Sequence, residues 1–321
     1  DLDEPEDMIL GFRGKSKDQI VVPDVFPDDV AQSSVTRAAE LVQQAFAANK
    51  ISLPVVTEAA MDAARPALFI GATKFAVANA VDTKKLSGYA YQHKVVGRNV
   101  IIAGHDESDP LAGKRASSKD SNLPIEGTLF SAAEFVHRYV GARFLSPDES
   151  GTTFVPQSII HVPPALDVKR EPQFAEHDMR NGEELFFTAN HCRSFTRIWS
   201  RFGHQHPSAV PIADYGKTHP EYFILTGNVR QPLTGATDGQ LCLSNPEVQE
   251  LIYKHILARC DDGFDIVELG QADGFRPCQC EKCAALYDIP LTTKPTDGIA
   301  FHLDRAWAEK LWIMHRDMAL R

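Results

Sequence analysis

The stretch FDIVELGQADGFRPCQCEKC, residues 264–283, decides the fold and points to a functional site. Phe264 to Leu269 is an apolar run typical of a buried strand, and a short loop with Asp273 follows it. Parallel α/β barrels build their active sites in this way, because the loops after their strands gather at one face. We therefore expect a catalytic carboxylate at Asp273, with Glu268 on the strand as a second candidate.

Three cysteines follow this loop at once. Cys278, Cys280 and Cys283 form a C-x-C-x-x-C motif, for which Cys242 or a histidine is the candidate fourth partner. Four such side chains are a set that binds zinc tetrahedrally. In an exported protein, disulfides among Cys242, Cys278, Cys280 and Cys283 are the competing arrangement. Either would immobilise the loop that carries Asp273, and the sequence leaves both open.

The length, charge and composition of the chain argue against two classes of function, nucleic-acid binding and membrane spanning. At 321 residues the chain is expected to form about two domains. The net charge of -10 argues against a nucleic-acid partner, because phosphate binding needs clustered lysine and arginine. No apolar run approaches the roughly 20 residues of a membrane span. The chain begins at Asp1 without Met, so we expect a processed, exported protein (periplasmic, cell-surface or extracellular) whose signal peptide has been removed.

The first half of the chain alternates short strands with amphipathic helices. Helical spacing of apolar residues predicts helices over Ser33 to Asn49 and Gly127 to Val140. The remaining predictions are strands at Gln19 to Val22, Leu53 to Val56 and Ala67 to Ile70, a hairpin at Lys94 to Ala103 and a Pro-bounded linker at Pro156 to Pro164.

These elements carry a first resemblance. The segments LPVVT, ALFIGATKFA, VVGRNVIIAGHD and GTLFSAAEFVHRYVGARFLSPDE occur in this order over roughly Asp18 to Val168. They resemble the small α+β domain that precedes the catalytic barrel in α-glucuronidases and family 20 hexosaminidases. The resemblance implies an accessory α+β domain over residues 1–168 that performs no chemistry.

The second half reads as the beginning of a β/α barrel, because strands and helices alternate. A strand is predicted at Gln173 to Met179, ending near Arg180, and His204 and His206 follow in a loop. Further predictions are a strand at Gln240 to Leu243, a helix at Val248 to Cys260 and a helix at Ala300 to Leu320, with Trp307 and Trp312 on its core face. A full barrel takes about 250 residues. The expected fold class is therefore α/β, with residues 169–321 as the first part of a (β/α)8 barrel truncated at Arg321 and completed by further residues or a partner chain.

A second resemblance rests on HPEYF, QLCLSNPEV, the Asp-Gly loop and the C-x-C-x-x-C motif, over roughly Pro172 to Leu311. Their order resembles the family catalogued as domain of unknown function 4838. That family includes the endo-β-N-acetylglucosaminidases of glycoside hydrolase family 163, which act on complex N-glycans. A more distant similarity to family 20 hexosaminidases implies that Asp273 is the general acid, and that Ala272 stands where those enzymes hold a second carboxylate.

Two functions from different classes follow. The first is a glycoside hydrolase acting on glycans with β-linked N-acetylglucosamine, with Asp273 and Glu268 as catalytic groups. Its expected substrate-binding residues are Arg180, His204, His206 and Gln271, and zinc would serve only as a structural ion. The alternative is a non-catalytic carbohydrate-binding or structural surface protein on the same scaffold, which Ala272 favours because an alanine cannot hold a charged intermediate.

Overall fold

The computed structural model describes residues 10–12, 18–109, 111, 124–146, 148–157, 159–171, 184–190, 205–231, 239–264, 266–272, 278–285 and 305–321. The chain forms two compact units. The first comprises Asp1–Pro110 and Leu123–Phe195, and the second comprises Leu111–Asn122 and Thr196–Arg321. Among the described residues, no helix has the length and apolar character needed to cross a membrane.

The first unit is a mixed α/β structure. Its described strands are β1 (Leu10–Phe12), β2 (Gln19–Val22), β3 (Val55–Thr57), β4 (Ala67–Ile70), β5 (Tyr91–Val96), β6 (Asn99–Gly104), β7 (Asp106–Glu107), β8 (Ile125–Glu126), β9 (Ala142–Phe144), β10 (Thr152–Phe154), β11 (Ile160–Val162) and β12 (Asp167–Arg170). Its described helices are α1 (Asp29–Ala48), α2 (Lys74–Ala78), α3 (Gly127–Phe135) and α4 (Glu184–Ala189), with a π-helical turn at Val136–Val140 and 3-10 turns at Thr83–Lys85 and Glu149–Gly151.

A six-stranded mixed sheet organises this unit, in the order β12-β5-β6-β4-β2-β3. The pairs among β3, β2, β4 and β6 are parallel, whereas β5 pairs antiparallel with β6 and with β12. Alternate residues of β2, β4 and β6 face opposite layers. Ile20, Leu68 and Ile102 pack with α1 and α3, and Phe69 and Ile101 pack on the other face with α2. Both faces of the parallel strands are covered, which explains their continuous apolar sequence.

The predicted elements are largely confirmed in this unit, with two corrections. The segment predicted as a linker, Pro156 to Pro164, contains β11, which pairs antiparallel with β1 and is therefore part of the fold. The helix predicted from Ser33 begins at Asp29, because the Asp28 side chain accepts a hydrogen bond from the Ala31 amide at 2.8 Å and caps the helix. β12 extends across the domain boundary predicted at residue 168.

The second unit has a core of its own. Its described elements are α5 (Gln205–Ala209), α6 (Ile212–Tyr215), a 3-10 turn at Pro220–Tyr222, β13 (Leu225–Thr226), β14 (Val229–Arg230), α7 (Pro246–Asp261), α8 (Glu281–Ala285) and α9 (Arg305–Ala319). Its core consists of Val210, Tyr222, Phe223, Leu241, Leu243, Val248, Ile252, Met314 and Met318. In the segment predicted as a strand, Phe264 to Leu269, Ile266 is a single bridging residue among the described positions 264 and 266–269. Within the described part of this unit the largest sheet is the β13–β14 hairpin, so the barrel stays a prediction.

Candidate metal centre

Cys242 is positioned by a strand bridge on one side and a helix start on the other. Its neighbour Leu241 bridges Phe223 in antiparallel fashion, and its own amide donates to the Tyr222 carbonyl at 2.8 Å. The chain then turns into α7, whose first turn is capped because the Asn245 side chain accepts from the Glu247 amide at 2.9 Å. Cys242 is thereby fixed against the core and is only 3% exposed.

The other three cysteines lie on a short segment docked against the β13–β14 hairpin. The Gln279 amide donates to the Leu225 carbonyl at 2.8 Å, and the Leu225 amide donates to Cys278 Sγ at 3.3 Å. Cys280 precedes α8, and Cys283 lies within it. The Cys283 amide donates to Cys280 Sγ at 3.4 Å. Two backbone N–H groups therefore donate to sulfur atoms, as outer-shell donors do to the sulfur ligands of a metal ion.

The four sulfur atoms converge. Cys242 Sγ lies 3.6 Å from Cys283 Sγ and 3.7 Å from the sulfur atoms of Cys278 and Cys280. All four sulfur atoms lie within 4.8 Å of one another. A disulfide bond is about 2.05 Å long, so these four residues are free cysteines in the structure. The clustering predicted for these residues, with Cys242 as the fourth member, is confirmed.

This arrangement fits a tetrahedral metal ion. With a zinc–sulfur bond of about 2.3 Å, the edge of a regular tetrahedron is about 3.8 Å. The three measured distances of 3.6–3.7 Å are close to that edge. Four thiolates and one Zn²⁺ carry a net charge of −2. Arg230 offsets part of it, because its Nη1 lies 3.7 Å from Cys278 Sγ while it donates to the Phe223 carbonyl at 2.8 Å.

Without a metal, the thiols of the cluster differ in their pKa values. Hydrogen bonds from the Cys278 and Cys283 thiols hold the pKa of the Cys242 thiol far below its usual range. The same contact raises the pKa of Cys278 to about 11, and the pKa of Cys283 is also raised, chiefly by Cys242. The centre therefore contains a thiolate at Cys242 that is surrounded by thiol donors. A soft metal ion would displace those protons and bind all four sulfur atoms.

A cavity of about 720 Å³ adjoins the cysteine cluster within the second unit. Cys242 and Cys280 are the two sulfur-bearing residues that line it, together with Arg230, Lys282 and Glu247. The same cavity is also lined by Glu221, Leu225, Ser244, Asn245, Pro246, Gln279 and Glu281. Ser244 lies close to the sulfur atoms, with its Oγ 3.0 Å from Cys283 Sγ. One side of the centre is therefore open to small polar molecules.

Comparison with known families agrees with the second resemblance drawn from the sequence. Residues 148–293 match the family described as Domain of unknown function (DUF4838). The DUF4838 match contains all four cysteines, Arg230 and Ser244, and it also contains the loop with Asp273. No curated protein matches the chain.

Several predicted site residues of this region lie elsewhere or outside the described chain. Asp273, Arg180 and His204 fall outside the described residues. Glu268 and Gln271 are half-buried, and Ala272 is 2% exposed, with its carbonyl accepting from Gln240 Nε2 at 3.2 Å. The catalytic and substrate-binding roles of these residues stay predictions.

His206 was expected in a substrate-binding loop, and the structure places it on α5 in a buried contact. Its Nε2 lies 3.2 Å from Nε2 of His315 on α9, and its amide donates to the Gly270 carbonyl at 2.9 Å. Burial lowers the pKa of His206 to about 3 and the pKa of His315 to about 4. Both rings are therefore neutral, and one ring N–H donates to the other ring. No local pattern in the sequence indicates this pair, because the two residues are far apart in the chain.

Proposed function

We propose that Cys242, Cys278, Cys280 and Cys283 bind one zinc ion in a closed, structural site. The observation that carries this proposal is the convergence of four sulfur atoms within 4.8 Å of one another, in which the three distances from Cys242 Sγ, 3.6–3.7 Å, match the edge of a zinc tetrathiolate. Four protein ligands leave no position for water or substrate, so the ion would stabilise the fold and take no part in a reaction. Amide donors to Cys278 and Cys280 and the nearby Arg230 supply the outer-shell contacts that such sites need.

The zinc proposal is tested on purified protein by elemental analysis and X-ray absorption. We expect one zinc per chain with four sulfur neighbours at about 2.3 Å. Cys242→Ser should lower the bound zinc, because this sulfur contacts the other three. Cys260→Ser is the matched control, because Cys260 is an exposed free cysteine on α7 outside the cluster. A protein without metal, whose four cysteines all react rapidly with a thiol reagent, would contradict the proposal.

We further propose that the second unit is a glycoside hydrolase-like domain, the first part of a (β/α)8 barrel, and that Asp273 is its general acid. The resemblance to the N-acetylglucosaminidases supports a substrate with β-linked N-acetylglucosamine. The described residues on either side of Asp273 in the sequence support its role, because Ala272 is buried and Cys278 belongs to the cysteine cluster. Fixed flanking residues favour the precise placement that proton transfer requires of a catalytic group.

Further parts of this proposal follow from the same resemblances. The first unit would be the accessory domain and would perform no chemistry. Arg180, His204 and Gln271 would bind the sugar, and Glu268 would act as the second catalytic carboxylate. The protein would act outside the cytoplasm on glycans.

Hydrolysis of a chitobiose-core glycan by the protein tests the glycosidase proposal. Asp273→Asn should lower the rate by about 10²–10⁴-fold, because a positioned acid typically contributes that much. The loss should be smaller for a substrate with a very good leaving group, which needs little protonation. Unchanged turnover in Asp273→Asn would mean that another residue is the general acid. A wild-type protein that binds β-linked amino sugars without hydrolysing them would instead support the carbohydrate-binding alternative, in which Ala272 replaces a lost carboxylate.

A further inference from the structure

The four cysteines differ in their access to solvent. Cys242, Cys278 and Cys283 are buried, whereas Cys280 is half-buried. Cys280 also lines the cavity of about 720 Å³, and Cys242 is the other cluster cysteine that lines it. A small molecule that enters this cavity therefore meets the sulfur of Cys280 first, with Cys242 behind it.

A backbone donor and charged side chains surround Cys280. The Cys283 amide donates a hydrogen bond to Cys280 Sγ at 3.4 Å. Arg230 and Lys282 bring positive charge to the cavity wall, while Glu221, Glu247 and Glu281 bring negative charge. Thiolate character together with solvent access determines which cysteine a peroxide oxidises. Zinc ligation makes all four sulfur atoms thiolates, so solvent access distinguishes them, and Cys280 is the one that is half-buried.

We propose that Cys280 is an oxidation site for hydroperoxides and that Cys242 is its resolving cysteine. The inference rests on the zinc centre proposed above. In the first step the Cys280 thiolate attacks the peroxide, the O–O bond breaks, and Cys280 becomes a sulfenic acid while hydroxide or alkoxide leaves. In the second step the Cys242 thiolate attacks the Cys280 sulfur and displaces hydroxide, and a disulfide forms. Two thiolates thus supply the two electrons that reduce one peroxide.

The short distance between the sulfur atoms of Cys242 and Cys280 is the reason for proposing Cys242 as the resolving cysteine. Its sulfur lies 3.7 Å from Cys280 Sγ, so a small movement brings the two atoms to bonding distance. Ser244 supports the exchange, because its Oγ lies 3.6 Å from Cys242 Sγ and 3.8 Å from Cys280 Sγ and can donate a hydrogen bond to the departing oxygen. The disulfide removes two of the four zinc ligands. The ion then leaves, and the segment before α7 becomes covalently tied to the segment before α8.

The test uses the full chain, with its zinc content measured before any oxidant is added. Hydrogen peroxide is titrated while a chromophoric chelator records zinc release, and the remaining thiols are alkylated for mass spectrometry. We expect one zinc released per disulfide and a cross-linked peptide that joins Cys242 to Cys280. A dithiol reductant with added zinc should restore the original state.

Three variants separate this route from general thiol oxidation. Cys280→Ser should abolish the cross-link and slow oxidation of the cluster by about tenfold or more, because the accessible thiolate is gone. Cys278→Ser is the matched control, because it also removes one zinc ligand but leaves the Cys242–Cys280 pair intact, and the cross-link should persist. Cys260→Ser should behave as the wild type.

Two results would overturn the inference and leave the zinc centre in place. One is a zinc-loaded protein that keeps its metal at peroxide concentrations that fully oxidise the exposed Cys260. The other is a cross-link between Cys280 and Cys283, which would make the C-x-x-C pair the reactive one. A purified protein without metal, in contrast, would overturn the zinc proposal itself.

Discussion

The buried histidine of the first unit makes the stability of that unit depend on pH in a calculable way. His93 lies on β5 and is 1% exposed, and its Nε2 lies 2.9 Å from the Ser131 carbonyl oxygen. Burial lowers the pKa of His93 from 6.5 to about 4; the hydrogen bond to the Ser131 backbone and the charge of Glu134 oppose this shift, and Arg138 adds to it. The ring is therefore neutral in the folded state at pH 5, whereas in the unfolded chain it is protonated.

Stability linked to His93 is complete above pH 6.5 and is lost as pH falls from 6.5 towards 4. The difference between 6.5 and about 4 corresponds to about 3 kcal/mol, because each pKa unit is worth about 1.4 kcal/mol. Asp106 acts in the opposite direction. Burial raises the pKa of its carboxyl from 3.8 to about 6, so the free energy of unfolding gains up to about 3 kcal/mol as pH falls through that window. The two effects nearly cancel in the wild type.

A comparison with His93→Gln isolates the histidine, because glutamine keeps a donor for the Ser131 carbonyl and does not titrate. Urea unfolding is followed by hydrogen exchange of the peptide 91–104 at several pH values. The stability advantage of the wild type over His93→Gln should shrink by about 3 kcal/mol between pH 7 and pH 4. Asp106→Asn is the matched control, and its comparison with the wild type should change in the opposite direction. An advantage of wild type over His93→Gln that is independent of pH would refute the buried, neutral imidazole.

Other predictions concern packing and the limits of the first unit. Gly141→Ala should destabilise the protein by about 1–3 kcal/mol in thermal melting, because Gly141 has φ +89° and an added Cβ would lie 2.5 Å from a backbone oxygen. Gly97→Ala should lower the stability less, since φ is also positive there, +59°, but no atom lies within 4 Å of the added Cβ. Phe46→Ala should cost about 3–5 kcal/mol, because this side chain is fully buried in the main core. A chain of residues 1–190 should unfold cooperatively and be more stable than one of residues 1–168, which loses half of β12 and all of α4.

Local patterns in the sequence were sufficient to predict most helices and strands of the first unit. The turn at Gly97 and the apolar runs on both sides predicted the β5–β6 hairpin, and the structure confirms it. The pairing of β11 with β1 was missed, because partners separated by about 150 residues leave no local pattern. Trp312 was predicted in the core and is 72% exposed, so the apolar stripe of α9 is narrower than its sequence suggested. Met314 and Met318, on the same helix, are buried.

The cysteine cluster was predictable because its chemistry is concentrated in few residues. The C-x-C-x-x-C spacing marks three members, whereas the fourth partner was left open between Cys242 and a histidine, and the structure shows it to be Cys242. Arg230 and Ser244 were not predictable in the same way. Their contacts with the cluster depend on how the hairpin and the start of α7 are packed, and arginine or serine at such positions is common in any sequence.

The burial pattern of residues 278–285 gives an independent reason for a metal at this centre. In this segment the fully buried side chains are those of Cys278 and Cys283, and the remaining side chains are exposed or half-buried. Ordering eight residues costs about 8–16 kcal/mol of conformational entropy. Two small buried side chains supply only a few kcal/mol against it, at roughly 25 cal/mol per Å² of apolar surface. A structural zinc ion in a comparable site contributes about 10–16 kcal/mol. The hydrophobic contribution of these two side chains is smaller than the entropic cost, and the proposed zinc ion at the four sulfur atoms would supply a term of the required size.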